Sequence, residues 1–236
     1  SSFVWEIDPN DDKKLVQPLA GLKGLGDAAI EQIVANRPFN DIEEFLFHDD
    51  IVYSKLNKKA LDVLVRSGAL NNLMDERFNG RKHFWSAVAV DRVYSKKKFL
   101  ENIETYRDEG DFTNEEEIDN LTTLTGIFPM HLVMTDDVRQ KLKSYFVPPV
   151  SDYDPELGLV WFIPREIIRK KTKNGNPYWI VAVIDSNSVL TKFRCWGIVE
   201  GKDRIHLNRP YMARLDFDPA WGFSTRSIRH NLRLLG

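Results

Sequence analysis

Between Asp27 and Asn36 the apolar residues Ala29, Ile30, Ile33 and Val34 recur at helical spacing. The pattern predicts a helix that begins with a carboxylate, where the helix dipole favours one, and stops at Arg37, because Pro38 pushes its predecessor out of the helical region. Asp41 can cap a short helix carrying Ile42, Phe45 and Leu46. A third helix is predicted from about Asn57 through Ala60, Leu61, Leu64 and Val65, with Gly68 as its C-terminal cap. Residues 77–100 (Phe84, Trp85, Val88, Val93) and 121–146 again look helical. Between them, residues 101–120 hold nine acids against one base, Arg107, and read as a solvated loop or linker. Pro148-Pro149 mark a boundary, and beyond Leu157 the period changes from helical to two. Strands are expected at 157–163, 178–184 and 190–196, and shorter ones at 204–207 and 211–215. Asn174-Gly175 lies between the first two, a strong hairpin signal. Several short strands in under eighty residues suggest a small barrel.

The chain has 236 residues, 42% of them hydrophobic, and no apolar run approaches the length of a membrane span. The start is polar and unlike a signal peptide, and the opening Ser1-Ser2 suggests a fragment of a longer protein. The lone cysteine, Cys195, excludes an intramolecular disulfide framework and a cysteine-based zinc site, and suits a reducing cytoplasm. The net charge of −2 argues against an indiscriminate nucleic-acid binder, but it hides a split. Residues 161–236 carry fourteen lysines and arginines against six acids, a surplus of eight that leaves −10 on the rest. Such asymmetry either marks an anionic partner for the basic part or is a solvated face.

Three features carry candidate chemistry. The first is the stretch AGLKGLGDAAI at 20–30, where Gly21, Gly24 and Gly26 bracket Lys23 just ahead of a helix. It is a plain interhelical corner, or a nest of free N–H groups that receives a phosphate, with Lys23 adding charge. No Gly-Lys-Ser/Thr follows and no strand precedes, so neither a Walker loop nor a dinucleotide fingerprint fits. The second is the turn at 54–60, where Lys55, Lys58 and Lys59 either meet a second phosphate or are ordinary exposed lysines at a helix start. The third is the β segment. Alternation places Lys192, Arg194 and Trp196 on one face opposite Phe193 and Cys195, with Tyr178 on a neighbouring strand. Lys170, Lys171 and Lys173 surround the adjoining turn. Charge with interleaved rings is what single-stranded nucleic acid requires, although Trp196 could equally cap the core.

Other chemistry finds no support. There is no Lys-x-Asp-Gly stretch, no close carboxylate pair on a strand pattern, and no paired spacing among the five histidines, so no catalytic residue and no metal ligand is assigned. The stretch QKLKSYF at 140–146 is off by one residue from a sliding-clamp-binding box and reads better as a buried end of an amphipathic helix.

The order of these parts resembles the rear of bacterial replicative DNA polymerases of family C, the polymerase III α-subunit type. LAGLKGLGDAAIEQIVANRPFNDIEEFL followed by LNKKALDVLVRSGAL resembles the tandem helix–hairpin–helix domain of that family. EIDNLTTLTGIFPMHL is similar to its connector, and KTKNGNPYWIVAVIDSNSVLTKFRCWG to the first hairpin and third strand of its OB fold. The likeness covers most of residues 15–200. It departs in the connector, where Leu132 follows His131 instead of the usual proline, and in the more basic strand 190–196.

The resemblance implies an α+β chain: a tandem helix–hairpin–helix domain (1–75), a helical connector with an acidic loop (76–155) and a small OB-fold barrel (156–236). It implies that Gly24, Gly26 and their N–H groups grip duplex phosphates and that the OB fold lies near single-stranded template. The chain would then be a non-catalytic, DNA-binding portion of a cytoplasmic phage or bacterial polymerase. It would hold no cofactor itself, magnesium belonging to the catalytic part of the parent. Double- and single-stranded DNA are the expected partners, with a sliding clamp or other replisome subunits as further candidates and no membrane. A replisome protein-interaction module, or an accessory segment of a nuclease or ligase, remains open as an alternative.

Overall fold

The computed structural model describes residues 4–8, 11–52, 54–91 and 93–235. The chain divides into two compact units, residues 1–129 and 130–236. The stretch anticipated as a connector is shared between them.

The first unit opens with an antiparallel pair, β1 (Glu6–Asp8) and β2 (Asp11–Val16), in which Ile7 faces Leu15. Neither strand carries an alternation long enough to be seen in the sequence. Three helices follow as anticipated: α1 (Asp27–Ala35), α2 (Ile42–Phe47) and α3 (Lys58–Arg66). Their starts have local causes. The Asp41 carboxylate accepts from the Glu44 N–H at 2.8 Å, and the Asn57 side-chain oxygen accepts from the Ala60 N–H at 3.1 Å. Ile30, Ile42, Phe45, Leu61 and Leu64 are essentially inaccessible and form the centre of the unit's core.

The remainder of this unit departs from the expected pattern. Residues 77–100 form two helices instead of one: α4 (Arg81–Trp85), which widens into a π-helical turn at Ser86–Val90, and α5 (Lys96–Thr105), started by the Ser95 hydroxyl. The Asn102 side chain reaches into the widened turn and donates to the Ala87 carbonyl at 3.0 Å. Buried His83 is held on both sides. Its Nδ1 accepts from the Asn79 N–H at 3.0 Å, and its Nε2 lies 2.8 Å from the Ile103 carbonyl, to which it donates, so both ring nitrogens are satisfied by backbone.

The acidic stretch is not a solvated loop. It runs through the end of α5, a short turn, and α6 (Asn114–Thr125). Thr113 and Glu116 form a reciprocal capping box, and Glu115, Glu116 and Glu117 occupy the first helical turn, where the dipole favours negative charge. Lys82 bonds Glu116 at 2.7 Å and Arg81 bonds Glu117. Lys82, and after it the Thr113 N–H, hold the Glu116 carboxyl below its ordinary range. A count of acids conceals such pairing because the bases come from a distant helix.

The second unit begins with α7 (Met130–Val133) and α8 (Asp136–Ser144). Val138 and Leu142 of α8 are buried, but Tyr145 and Phe146 are 56% and 86% exposed, so the aromatic end expected to be buried stands outside. A curled sheet follows: β3 (Leu159–Lys171), β4 (Pro177–Ile184), β5 (Thr191–Trp196), β6 (Tyr211–Arg214), β7 (Asp216–Asp218) and β8 (Gly222–Arg226), then α9 (Ile228–Asn231) and β9 (Leu232–Leu234). The spatial order is β7-β8-β5-β4-β3-β6-β9, antiparallel except for the parallel β5–β8 pair. The long strand β3 gives its first half to β6 and its second half to β4, with a bulge between Pro164 and Glu166. Pro164, which has no N–H to donate, sits at this bulge, as prolines in strands commonly do, and the bulge bends the strand. The sheet thereby curls into an OB-like half-barrel around Val160, Phe162, Val181, Val183, Phe193 and Cys195.

The strand expected at 204–207 is absent. Asp203 anchors that loop by accepting from the Val199 N–H at 2.7 Å and from Arg229 Nε at 2.9 Å. Strands β7, β8 and β9 were not anticipated, since two have three residues and β8 mixes glycine with polar positions.

Gly80 offers a test of the first unit's packing. A Cβ there would stand 2.5 Å from the Gly110 backbone, whose carbonyl accepts from the His83 N–H at 2.9 Å. Gly80→Ala should destabilise the chain by about 2–3 kcal/mol. The midpoint of urea unfolding should fall with little change in slope. An unchanged midpoint would mean that the 106–113 turn moves aside freely.

Candidate nucleic-acid interface

The corner before α1 is built by two leucines and a glycine. Leu22 and Leu25 point into the core, and between them Gly24 takes φ +94°, a conformation that L side chains rarely adopt. The chain turns outward because both its apolar residues turn inward. The Lys23 N–H donates to the Leu124 carbonyl at 2.8 Å, which ties the corner to the end of α6. The Ala29 N–H bonds back to the Gly26 carbonyl at 3.0 Å, while Gly26, the N-cap, supplies no side-chain acceptor. Among the described residues nothing accepts from the amides of Gly24, Gly26, Asp27 and Ala28. These are the groups that an anion at a helix start would meet.

The three glycines have different reasons to be there. Gly24 needs its dihedral. A Cβ on Gly21 would press on the Gln17 side chain at 2.9 Å. Gly26 has extended φ and ψ, and a Cβ there would meet nothing within 4 Å. The fold does not require glycine at 26.

The cations divide. The Lys59 Cε lies 3.8 Å from where a Cβ on Gly24 would stand, which sets this lysine against the corner. Lys58 and Lys55 are exposed at and before the start of α3. The second turn differs from the first: Asn57 caps its own helix with a side-chain oxygen on the Ala60 amide, whereas the N-cap of the first is a glycine with no side chain to offer. The Lys23 Nζ lies beside Gly126, the C-cap of α6, 3.5 Å from where its Cβ would be, where the negative end of the helix attracts it.

On the half-barrel the alternation anticipated from sequence holds. Trp179, Val181, Val183, Phe193 and Cys195 are buried, and Lys192, Arg194 and Trp196 lie on the other face. Trp196 does not cap the core: its ring stacks on Tyr178 at 4.7 Å and 24°. Strand register extends this pair into a row across four strands, Lys170, Tyr178, Trp196 and Arg226. Lys171 falls on the alternate face of β3, and Lys173 sits in the exposed turn that Thr172 closes by hydrogen bonds to Asn176.

Arg226 was not singled out from sequence, nor was Trp221. Trp221 stands in the β7–β8 turn, 71% exposed, with the Arg194 guanidinium 5.9 Å from its ring centre. Neither strand flanking it has a period-two signal, and only the parallel pairing of β8 with β5 brings them to this face.

Elsewhere the chemistry is quiet. Among the described residues no three of His, Cys, Asp and Glu cluster in a way that would hold a metal, and no helix is long and apolar enough to cross a membrane.

Residues 1–79 match the family described as helix-hairpin-helix motif. The chain is 32% identical over 97 residues to the DNA polymerase III subunit alpha of Pseudomonas aeruginosa, covering 39% of this chain and 8% of that protein. It is 39% identical over 76 residues to that of Pseudomonas fluorescens, covering 31% and 6%. With that of Helicobacter pylori it shares 42% over 65 residues, covering 26% and 5%. The matches thus span less than a tenth of these relatives' length. The first part of the chain thus matches a helix–hairpin–helix motif, and a part of the chain is similar to part of the DNA polymerase III α subunit.

Cys195 separates reactivity from packing. Burial, with Asp203 nearby, pushes its thiol up to about 12. The thiolate is the nucleophile, so native protein at pH 8 should resist a maleimide and denatured protein should react fully. Rapid native labelling would show that the half-barrel opens at this strand.

Proposed function

We propose that this chain is a DNA-handling, non-catalytic part of a replicative DNA polymerase of the polymerase III α type. The observation that carries the reading is the corner at Gly24. It has open amides at a helix start, with Lys59 against it and an unobstructed Gly26, in a region similar to polymerase III α subunits. Such a corner meets the phosphates of duplex DNA without reading sequence, since amides and lysines contact the backbone and not base edges. Gly21, Lys23, Lys55 and Lys58 complete the surface around it.

The outer face of the half-barrel is read as a contact for single-stranded DNA. Lys170, Lys173, Lys192 and Arg226 supply charge, and Tyr178 and Trp196 supply ring surface, with Lys171 at the flanking turn. In this reading magnesium and nucleotide transfer belong to the catalytic part of the parent enzyme, which works in the cytoplasm. A second reading, contact with a sliding clamp or another replisome subunit, is favoured by the exposed pair Tyr145 and Phe146 at the end of α8.

Duplex binding that meets about two or three phosphates should show a log–log salt slope of about −2 to −3, and affinity independent of salt would overturn the reading. Gly26→Val should weaken duplex binding more than single-strand binding while the fold survives, at a helix-capping cost of about 0.5–1 kcal/mol. Lys192→Ala combined with Trp196→Ala should do the reverse. Equal effects of both changes on both DNAs would refute the division of labour. Absence of DNA binding at low salt, with tight clamp binding lost in Phe146→Ala, would establish the second reading instead.

A further inference from the structure

The turn that carries Trp221 is held from both sides. The Asp218 carboxylate accepts from the Ala220 N–H at 2.8 Å and from the Trp221 N–H at 3.0 Å. The Trp221 carbonyl accepts from the Arg194 guanidinium, which also lies over the indole. Beneath the turn, Phe217 and Phe223 pack at 4.9 Å, and Phe223 meets Tyr153 at 5.0 Å. The Tyr153 hydroxyl in turn donates to the Leu215 carbonyl at 3.0 Å. The backbone of Trp221 is therefore fixed at its N–H and its C=O, while its side chain remains 71% exposed. An exposed tryptophan adds nothing to the core, so this bracing does not serve burial. It pre-organises a flat aromatic surface, which lowers the ordering cost of binding.

The surroundings indicate the occupant. In register, Trp221 adjoins Gly222, the neighbour of Lys192 on β5, and Arg194 lies between that position and the Tyr178–Trp196 pair. Tyr178 and Trp196 each spend one ring face on the other, whereas Trp221 has one face toward Arg194 and the other open. A cationic surface with an open, rigid indole fits a nucleobase on a negatively charged strand. We propose that Trp221 is a base-stacking residue for single-stranded DNA, and that Arg194 acts on it as a positioning residue and not as a phosphate contact. Trp196 stacks a second base about 13 Å along β5, four residues at the strand rise. The inference rests on the single-strand reading of this face.

The test uses the 236-residue chain, a labelled oligothymidylate of about twelve nucleotides and a duplex of equal length. Trp221→Ala should weaken single-strand binding about ten-fold or more, leave duplex binding unchanged and leave thermal unfolding nearly unchanged, since only the exposed contact with Arg194 is lost and no core packing. Trp221→Phe should stay within about three-fold of wild type yet lose part of the tryptophan quenching on single-strand addition. Arg194→Lys keeps the charge and should still weaken single-strand binding. Added to Trp221→Ala, it should cost nothing further, whereas a phosphate contact would give additive losses. If Trp196→Ala weakens single-strand binding and Trp221→Ala does not, the stacking role is overturned and the face remains a single-strand site. If neither matters, or no single strand binds at low salt, the reading of the face itself fails. Trp221 would then be left as a contact for protein.

Discussion

The corner at Gly24 depends on one steric fact. Leu22 and Leu25 both enter the core, and of the two residues between them Gly24 makes the turn at φ +94°. A side chain there would be strained by the dihedral alone, since the nearest neighbour, the Val63 methyl at 3.5 Å from its Cβ, is an ordinary contact. Once the leucines are seated, the amides that follow face out of the core, and the helix start has no side chain to close it. The open amides at the helix start are thus a by-product of burial. Hydrophobic burial fixes the direction of the chain, and the direction leaves polar groups free. The Lys23 N–H bond to Leu124 adds a constraint from α6, a helix about a hundred residues away in sequence.

The half-barrel rests on a comparable compromise. β3 pairs with β4 only from Ile163 onward, where β4 ends, and gives residues 159–162 to β6, with a bulge between Pro164 and Glu166 bending the strand near the changeover. The inner residues Phe162, Val181 and Phe193 then close over a common core, and the alternate residues are forced outward. Outward positions next to one another on four strands collect Lys170, Tyr178, Trp196 and Arg226 into one row. Two of these lie within a short hairpin motif, whereas Arg226 arrives through a parallel pairing that no local pattern announces.

The acidic segment shows how charge is misread when pairing is ignored. Glu116 and Glu117 sit in the first turn of α6, where the capping box and the dipole hold them, and Lys82 and Arg81 reach them from α4. Local capping was present in the letters T-N-E-E, but the partners lie more than thirty residues earlier. The same holds for the buried polar groups. His83 and Asn102 look like chemistry in a list of residues, and both turn out to satisfy backbone groups around a widened helical turn.

Local chemistry in the sequence determined much of this protein by itself. The caps at Asp41 and Asn57, the glycine corner, the period-two strands from 177 to 196 and the opposition of Lys192, Arg194 and Trp196 to Phe193 and Cys195 all follow from neighbours within a few residues. Tertiary structure alone decided which glycine the fold requires, since Gly24 and Gly26 look alike in sequence and differ in dihedral and surrounding space. It also decided which lysine stands against the corner, and that Arg194 braces Trp221. These depend on approaches between segments distant along the chain. Burial of unrelated apolar residues sets those approaches, and no residue's own neighbours encode them.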